Sequence, residues 1–488
     1  MADSSKAPLA TLAGALLLGI TWRAAATLLP GQLDLVAGLA LLLAVIAALT
    51  RAGVLAIPQP DRLLLGVPAV LLLGALLWRD SEVLVALDAA AVVLLVALAV
   101  PGLDGRALSF SGAGEWVARV VRAGAGWLVG AIPATWAAAI SIPVASGMRA
   151  LAAPALGILA ISPVLVLFSA LLSDADPLFR EVLRAMFVWR LGPDVVAIGA
   201  GTWFAAGLLW VMSRPLVLPL ELPRVRRPPV DSVVSALVAV ELLFGLFLVL
   251  QARHLFGGRA HLLATEGLTV AEYARRGFFE LVGVAALTLP ILMAAEWGVD
   301  VQRPDERRRM RVHALALLAL LGLLLGSALS RMLLYTGVFG LTQPRLYVTV
   351  FMGWLAAVLA WFALTSLRGV RHRFMVGAFA AAVQVLLLLN LANPEAIIVR
   401  VNVARAAEGK PFDASYVESL GAGALPALLA RAERLPAGVR CQVLDAQRAR
   451  LDRAPAGQSV WNVERARATG PLRDELARAV ARACGVRN

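Results

Sequence analysis

The chain has 488 residues, of which 60% are hydrophobic and only 16% are charged, and its mean hydropathy is +0.80. A soluble domain of this size carries more charge because water must wet its surface, so the composition excludes an ordinary soluble protein. The formal charge of +13 does not indicate nucleic-acid binding, because the arginines are spread over short loops and a tail and do not form one face with interleaved aromatics.

Apolar runs of about 18 or more residues recur along the first four-fifths of the chain, and each is long enough to cross a membrane as a helix. The alternating pattern of a barrel strand is absent, so helices are the expected spanning form. The first run continues to Leu29 without a clear cleavage site, which favours a membrane helix over a signal peptide. We predict about eleven spans, near residues 8–29, 33–50, 62–78, 82–100, 150–172, 195–213, 231–252, 277–297, 312–334, 346–367 and 374–391.

An uncharged segment at residues 123–148 is long enough to span, and the sequence leaves open whether it does. If it did, the basic clusters "RVRRP" and "RRRMR" would lie on the opposite side of the membrane from the arginines that precede the segment. We therefore predict an interfacial or re-entrant segment interrupted by Pro133 and Pro143. Its Trp127 and Trp136 suit a membrane interface.

The basic residues indicate which side of the membrane each loop faces. With the N-terminus inside, 19 Lys and Arg fall inside and 11 fall outside, counted up to Arg373. Because basic loops mark the cytoplasmic side, this division predicts a cytoplasmic N-terminus and an exported C-terminus.

Residues 393–488 form a tail with shorter apolar runs and more charge. "DASYVESL" and "ALPALLARAERL" have helical spacing, and "GPLRDELARAVARACG" is typical of an amphipathic terminal helix closed by Gly485. "CQVLDAQRARL" fits either a strand or a helix. We predict an all-α fold: a polytopic transmembrane bundle over 1–392 and a small α-rich extracytoplasmic domain over 393–488.

Cys441 and Cys484 are the only two cysteines, and both lie in the tail. An oxidising exterior permits a disulfide, whereas a reducing cytoplasm does not. We predict that they are bonded. The alternative is two unpaired cysteines on helix faces.

Two predicted outer loops, "FGLTQPRLY" and "EGLTVAEYARRGFFEL", place Gly-Leu-Thr just before a span. Thr269 with Glu272 fits a capping box, and Thr342 with Pro344 fits a capped helix start. Helix capping therefore explains much of the similarity. It does not explain the arginines and tyrosines that accompany both motifs.

The outer loops together offer acids, arginines and tyrosines that could meet in one polar cluster. For any single residue the alternative is a solvated loop. We expect Arg345 to pair with Asp174, Asp176 or Glu272, because a carboxylate would offset the unfavourable position of an arginine at a helix N-terminus. The candidate outer cluster comprises Asp80, Glu82, Asp174, Asp176, Arg180, Glu272, Tyr273, Arg275, Arg276, Tyr335, Arg345 and Tyr347.

Charges inside predicted spans are costly unless they are paired or solvated. They either lock helices together, for example Arg331 with Asp88 or Glu280, or line a water-filled pocket open to the outside. These intramembrane charges are Arg23, Asp88, Glu241, Glu280 and Arg331.

Motifs for known chemistry are missing from the sequence. It has no Walker loop, no HExxH and no Cys-x-x-Cys, and the tail has no nucleophile motif. We predict no catalytic residue, no metal site and no cofactor.

Several longer motifs together resemble a bacterial multi-pass membrane family, catalogued as a domain of unknown function, family 4173. They are "LLSDADPLF", "EYARRGFFELV", "GLTQPRLYVTVFMGWLA", "NPEAIIVRVNVARA" with "FDASYVESLGAGALPALL", and "WNVERARA". The resemblance runs from about the third span to the end of the chain. It implies the bacterial cytoplasmic membrane and supplies no activity.

Three functions remain open. The first is a non-enzymatic sensor, assembly factor or scaffold that binds a protein partner at its outer face and C-terminal domain. The second is a transporter whose buried charges line a path. The third is a transferase that uses lipid-linked donors, although "PGQLD" is too short for the large first outer loop expected there. The predicted partners are the lipid bilayer and a protein at the outer face, with no nucleic acid.

Overall fold

A computed structural model describes residues 7–29, 32–55, 57–101, 106–141, 193–213, 228–256, 278–299, 303–453 and 461–485, with single positions at 172, 181 and 182. Within these ranges the chain is helical and contains no strand, as the predicted all-α class requires. The chain divides into two compact units. The first comprises residues 1–218 and 454–466, and the second comprises 219–453 and 467–488.

The described part of unit 1 contains seven helices that belong to it entirely. They are α1 (Ala7–Leu28), α2 (Gln32–Arg51), α3 (Gln59–Trp78), α4 (Glu82–Leu98), α5 (Ala113–Val129), α6 (Ala131–Ser141) and α7 (Pro193–Ser213). Helices α2, α3 and α4 alternate in direction because only short links join them. The starts of α2 and α4 therefore lie at the same end as the end of α3.

The described part of unit 2 begins with five long helices and continues into the tail. The long helices are α8 (Val230–Phe256), α9 (Phe278–Gly298), α10 (Pro304–Phe339), α11 (Gln343–Thr365) and α12 (Arg371–Ala392). The tail helices are α13 (Pro394–Ala407), α14 (Ala414–Ser419), α15 (Leu425–Leu429), α16 (Ala437–Arg453), α17 (Val463–Thr469) and α18 (Pro471–Cys484). Helix α17 crosses the boundary between the units, since residues up to 466 belong to unit 1.

Six of the described helices are long and apolar enough to cross a membrane: α2, α3, the first part of α8, α10, α11 with the turn after it, and α12. Large apolar side chains on these helices are exposed, for example Leu63 at 71% and Val249 at 70%. Lipid can cover such faces at no cost, so the apolar helices indicate a membrane protein. Helices also occupy the other predicted spans except 150–172, of which the structure describes only residue 172. The predicted number of about eleven spans is not confirmed.

Segment 123–148 is helical up to Ser141, and residues 142–150 lie outside the described part. The only irregularity in the described part of the segment is at Gly130, between α5 and α6, and this residue keeps a right-handed helical conformation; the helix is not interrupted at Pro133 as predicted. Gly130 lies where α5 meets α7 closely: a Cβ on Gly207 would lie 2.2 Å from the Gly126 carbonyl oxygen. Small residues are common where membrane helices pack this tightly.

The tail has a hydrophobic core of its own within unit 2, formed by buried residues between Ala396 and Val480. The predicted disulfide is present and joins Cys441 of α16 to Cys484 of α18. Gly485 ends α18 with φ of 68°, a left-handed conformation that favours glycine, which confirms the predicted helix end. "CQVLDAQRARL", which fitted either class, is part of helix α16.

Candidate functional site

The stretch between α10 and α11 is bound by side chains of α13 and α14. Asn402 forms two hydrogen bonds with the backbone of Leu341: its Oδ1 accepts from the amide nitrogen and its Nδ2 donates to the carbonyl oxygen, each at 2.8 Å. Gly340 precedes this pair with φ of 84° and with its Cα beside Asn402, so both the conformation and the space favour glycine.

The Arg405 side chain caps the C-terminal end of α10 by hydrogen bonds. Its guanidinium donates hydrogen bonds to three carbonyl oxygens of the last turn, those of Thr336 at 2.6 Å, Gly337, and Val338 at 2.8 Å. The last carbonyls of a helix lack the amide donors of a following turn, although the Thr336 oxygen also accepts from the Gly340 amide nitrogen at 2.9 Å. A cation there complements the helix dipole. Burial is the largest effect and lowers the pKa of Arg405; the neighbouring charge of Arg345 lowers it further.

The start of α11 is bound in the same way. The Gln343 amide nitrogen donates to the Tyr416 hydroxyl oxygen at 2.6 Å, and its side-chain nitrogen donates to Glu395 Oε1 at 3.2 Å. Glu395 is 2% exposed and also accepts from the Gly421 amide nitrogen at 3.1 Å. Burial raises the pKa of the Tyr416 hydroxyl. We call Thr336–Gln343, together with Asn402, Arg405, Tyr416 and Glu395, the backbone site.

Two expectations for this stretch can be checked. Thr342 occupies the N-cap position of α11, but its side chain forms no capping hydrogen bond in the described structure, so that prediction is wrong. The Tyr416 hydroxyl binds the Gln343 amide in that turn instead. Arg345 lies over the Tyr335 ring at 4.0 Å and donates to the Gly340 carbonyl oxygen.

A second polar site lies in unit 1, where the segment Trp461–Arg465 meets the link between α3 and α4. Glu464 receives a hydrogen bond from Arg79 through one carboxylate oxygen and, through the other, one from the Asp80 amide nitrogen at 3.0 Å. The Arg79 side chain is 5% exposed and that of Glu464 is 9% exposed. This is therefore a buried ion pair with further hydrogen bonds.

The same segment satisfies Asp80 and Gln32. Asp80 Oδ1 accepts from Arg465 at 3.0 Å and from Asn462 Nδ2 at 2.9 Å. Asn462, which is fully buried, also donates to Gln32 Oε1 at 3.0 Å, and Gln32 in turn donates to the Arg79 carbonyl oxygen at 2.9 Å. We call Gln32, Arg79 and Asp80, together with Asn462, Glu464 and Arg465, the ionic site.

At the opposite end of α2, α3 and α4 lies an ion pair that the sequence analysis did not identify. Asp61 and Arg119 are both 0% exposed, and their side chains meet at 3.1 Å. Asp61 also accepts from the Leu108 amide nitrogen, while Arg119 donates to the carbonyl oxygens of Leu98 and Arg106. Sequence spacing does not reveal this pair, because Arg119 is one of several arginines between predicted spans. Asp61 lies in the first turn of a helix, where acids are common.

The described intramembrane charges are paired or buried. Arg23 binds Asp194, with 2.6 Å between Nε and Oδ1. Glu241 lies 3.1 Å from His313 Nδ1, a partner that the sequence analysis did not propose. Asp88 and Arg331 are 0% and 8% exposed. The proposed partners of Arg331 remain predictions, and the Glu280 side chain is outside the described part.

The candidate outer cluster is only partly described. Asp80 belongs to the ionic site, Glu82 is exposed in the first turn of α4, and Tyr347 is half-buried on α11. The structure brings Arg345 and Tyr335 together. The members outside the described residues are Asp174, Asp176, Arg180, Glu272, Tyr273, Arg275 and Arg276. The cluster as a whole, and the pairing of Arg345 with a carboxylate in it, stay predictions.

These sites hold segments of the chain together. At the backbone site, side chains bind main-chain groups, and at the ionic site every named charge has an opposite charge from the same chain as its partner. No group of three or more His, Cys, Asp or Glu suited to a metal ion occurs among the described residues.

Comparison with protein families gives one match: the model of a domain of unknown function, DUF4153, matches residues 66–430, which is more than half of the 488 residues. The family number 4173, suggested by the motifs, is not confirmed. No curated protein and no solved structure matches the chain.

Proposed function

We propose that this chain, which belongs to the DUF4153 family of unknown function, is a non-enzymatic multi-pass protein of the bacterial cytoplasmic membrane. It acts as a scaffold, sensor or assembly factor. Its N-terminus is cytoplasmic, and its C-terminal domain, residues 393–488, lies outside and binds a protein partner. The transmembrane helices anchor that domain and fix its position.

One observation carries this proposal: the polar groups at the two candidate outer links are occupied by the chain's own tail. Asn402 and Tyr416 form hydrogen bonds with the backbone groups of Leu341 and Gln343, and Glu464 forms an ion pair with Arg79. A catalytic or transport site leaves polar groups available for a substrate. Here the polar groups of the links hold tail segments in place. A scaffold that offers its C-terminal domain to a partner needs such fixed positions.

The disulfide supports the exported location of the domain. A bond between Cys441 and Cys484 is stable in an oxidising compartment and is reduced in the cytoplasm. Together with the distribution of Lys and Arg, it favours an outer tail. A reporter fused after Gly409 should be active only outside the cytoplasm.

A transporter is the second candidate, and the pair of Glu241 and His313 favours it. The pair lies between α8 and α10, its atoms are 3.1 Å apart, and both side chains are partly exposed at 16% and 29%. A histidine beside a carboxylate inside a membrane can carry a proton. The transferase alternative has no such support.

Complementation of a deletion strain separates the two candidates. If the protein is a scaffold, Glu241→Gln with His313→Asn should retain function, whereas exposed tail substitutions such as Trp461→Ala with Arg400→Glu should lose it. A transporter predicts the reverse. Each variant must be present in the membrane at the wild-type level, as measured by immunoblotting.

A further inference from the structure

A cavity of about 330 Å³ lies in unit 1 between α2, α3 and α4. Most of its wall is apolar, with Leu43, Ile46, Leu65, Val70 and Leu95 among the lining residues. The volume falls within the range of small-molecule sites in proteins. An apolar cavity between helices of membrane-spanning length is suited to an apolar ligand supplied by the bilayer.

One end of the cavity is basic. Arg51, the last residue of α2, and Arg62, in the first turn of α3, both line it, and both are exposed. Arg62 donates to the Ile57 carbonyl oxygen at 3.0 Å, and neither arginine forms an ion pair with any residue that the structure describes. Asp61 also lines the cavity, but its charge is balanced by Arg119.

The cavity extends along the helices from that basic end. Leu43 precedes Arg51 by eight residues and Val70 follows Arg62 by eight, and all four line the cavity. At a rise of about 1.5 Å per residue, the apolar wall reaches about 12 Å from the arginines toward the middle of the span. In a bilayer spanned by α2 and α3, the cationic end would lie at headgroup depth and the apolar part at acyl-chain depth.

We propose that this cavity is a binding site for a bilayer phospholipid with an anionic headgroup. The headgroup phosphate binds Arg51 and Arg62, and an acyl chain enters between α2, α3 and α4. Charge complementarity commits the site to an anionic lipid, because basic pockets between membrane helices select such headgroups. The proposal does not depend on the scaffold function.

The charge part is tested on the purified full-length protein by native mass spectrometry, using phosphatidylglycerol and phosphatidylcholine with the same acyl chains. The wild type should prefer phosphatidylglycerol. The double variant Arg51→Gln with Arg62→Gln should lose roughly 30-fold of that preference, about fivefold for each arginine. Arg307→Gln with Arg308→Gln is the matched control, because these arginines are also exposed and form no described ion pair; it should keep the preference. An unchanged preference in the Arg51 and Arg62 variant would overturn the proposal.

The cavity part is tested without changing any charge. Gly66 lines the cavity, and a Cβ added there would meet nothing within 4 Å, so the backbone accepts a side chain and that of leucine would extend into the cavity. Gly66→Leu should weaken phosphatidylglycerol binding roughly tenfold. Gly74→Leu is the control on the same helix: it also has open space but does not line the cavity, and it should bind as the wild type does.

The arginine double variant and Gly66→Leu together give results that either support or contradict the proposal. Loss of binding in both supports the site. If Gly66→Leu binds as the wild type does, the headgroup is held at the surface without a chain in the cavity, and the proposal fails. If phosphatidylcholine fills the site as well as phosphatidylglycerol in the wild type, the assignment to an anionic lipid fails. If the arginine double variant does not fold, the single substitutions and Gly66→Leu still decide.

Discussion

The backbone site and the ionic site both bind a tail segment to a link between membrane helices, but they use different forces. At the backbone site, Asn402, Arg405 and Tyr416 hydrogen-bond main-chain groups, which every sequence possesses. At the ionic site, Arg79 and Asp80 meet Glu464 and Arg465, so recognition depends on side-chain identity. The first arrangement fixes the ends of helices. The second specifies which two segments of a long chain come together.

The difference in force predicts a difference in sensitivity to substitution. Removing one member of a buried ion pair leaves a charge without its partner, whereas removing a neutral side chain leaves only the orphaned hydrogen-bonding groups. Four predictions, from the largest expected effect to the smallest, test this distinction.

Glu464→Ala should lower the free energy of unfolding by about 3–5 kcal/mol, because it leaves Arg79 buried without its carboxylate. SDS-induced unfolding of the purified protein measures this loss. Arg473→Ala, which breaks the exposed pair with Asp452, should cost about 1 kcal/mol or less. Replacing both partners, Arg79→Met with Glu464→Leu, should recover most of the loss. If Glu464→Ala is no worse than Arg473→Ala, the ionic site contributes no specific stability.

Loss of the disulfide should lower the stability of the tail by about 2–4 kcal/mol, since the bond closes a loop with a sequence separation of 43. The variant Cys441→Ser with Cys484→Ser should therefore release the tail to protease at lower temperature. Limited proteolysis at rising temperature measures this, and wild type treated with reductant should behave in the same way. Identical melting of the reduced and oxidised protein would contradict the prediction.

Asn402→Ala should cost about 2 kcal/mol, because both the amide and the carbonyl of Leu341 lose their partner. This loss should be smaller than that caused by Glu464→Ala. The measured order of the two losses therefore tests the difference between the backbone site and the ionic site. Asn402→Asp is a sharper variant: it retains the acceptor for the amide and loses the donor to the carbonyl. Amide hydrogen exchange at residues 340–343 reports the local opening.

Alkaline pH should weaken the backbone site slightly. Burial raises the pKa of the Tyr416 hydroxyl in the folded protein above its ordinary value of 10.0, so the folded state holds this proton more tightly. The resulting stabilisation is complete below pH 10 and is lost as pH rises through the folded pKa. Tyr416→Phe should lack this loss and should cost about 1 kcal/mol at neutral pH. Unfolding curves from pH 8 upward compare the two, and parallel curves would contradict the assignment.

Much of the architecture could be predicted from local signals. Long apolar runs predicted the helices, and Gly485 predicted the end of α18. Two cysteines confined to the tail predicted the disulfide. The close approach of α5 and α7 at Gly126, Gly130 and Gly207 could not be predicted, because α7 is distant in the sequence. Proline was the stronger local signal, but at Pro133 it lies in the first turn of a helix, where it is tolerated.

The sites were harder to predict for the same reason. Asp80, Arg345 and Tyr335 stood out as polar residues in outer links, but their partners could not be assigned from sequence spacing. Asn402 and Arg405 looked like ordinary polar residues of a tail helix, and no local pattern shows that they bind backbone groups some 60–70 residues earlier. Asp61 with Arg119 was missed because helix-start acids and loop arginines are common.

The ionic site cannot form until late in synthesis, because its two halves are far apart in the sequence. Glu464 follows Arg79 by 385 residues, so at about 5–20 residues per second the ribosome makes it roughly 20–80 s later. During that interval α3 and α4 are already available for insertion, while the cation between them has not met this carboxylate. A nascent chain that stops before residue 464 therefore never completes the site.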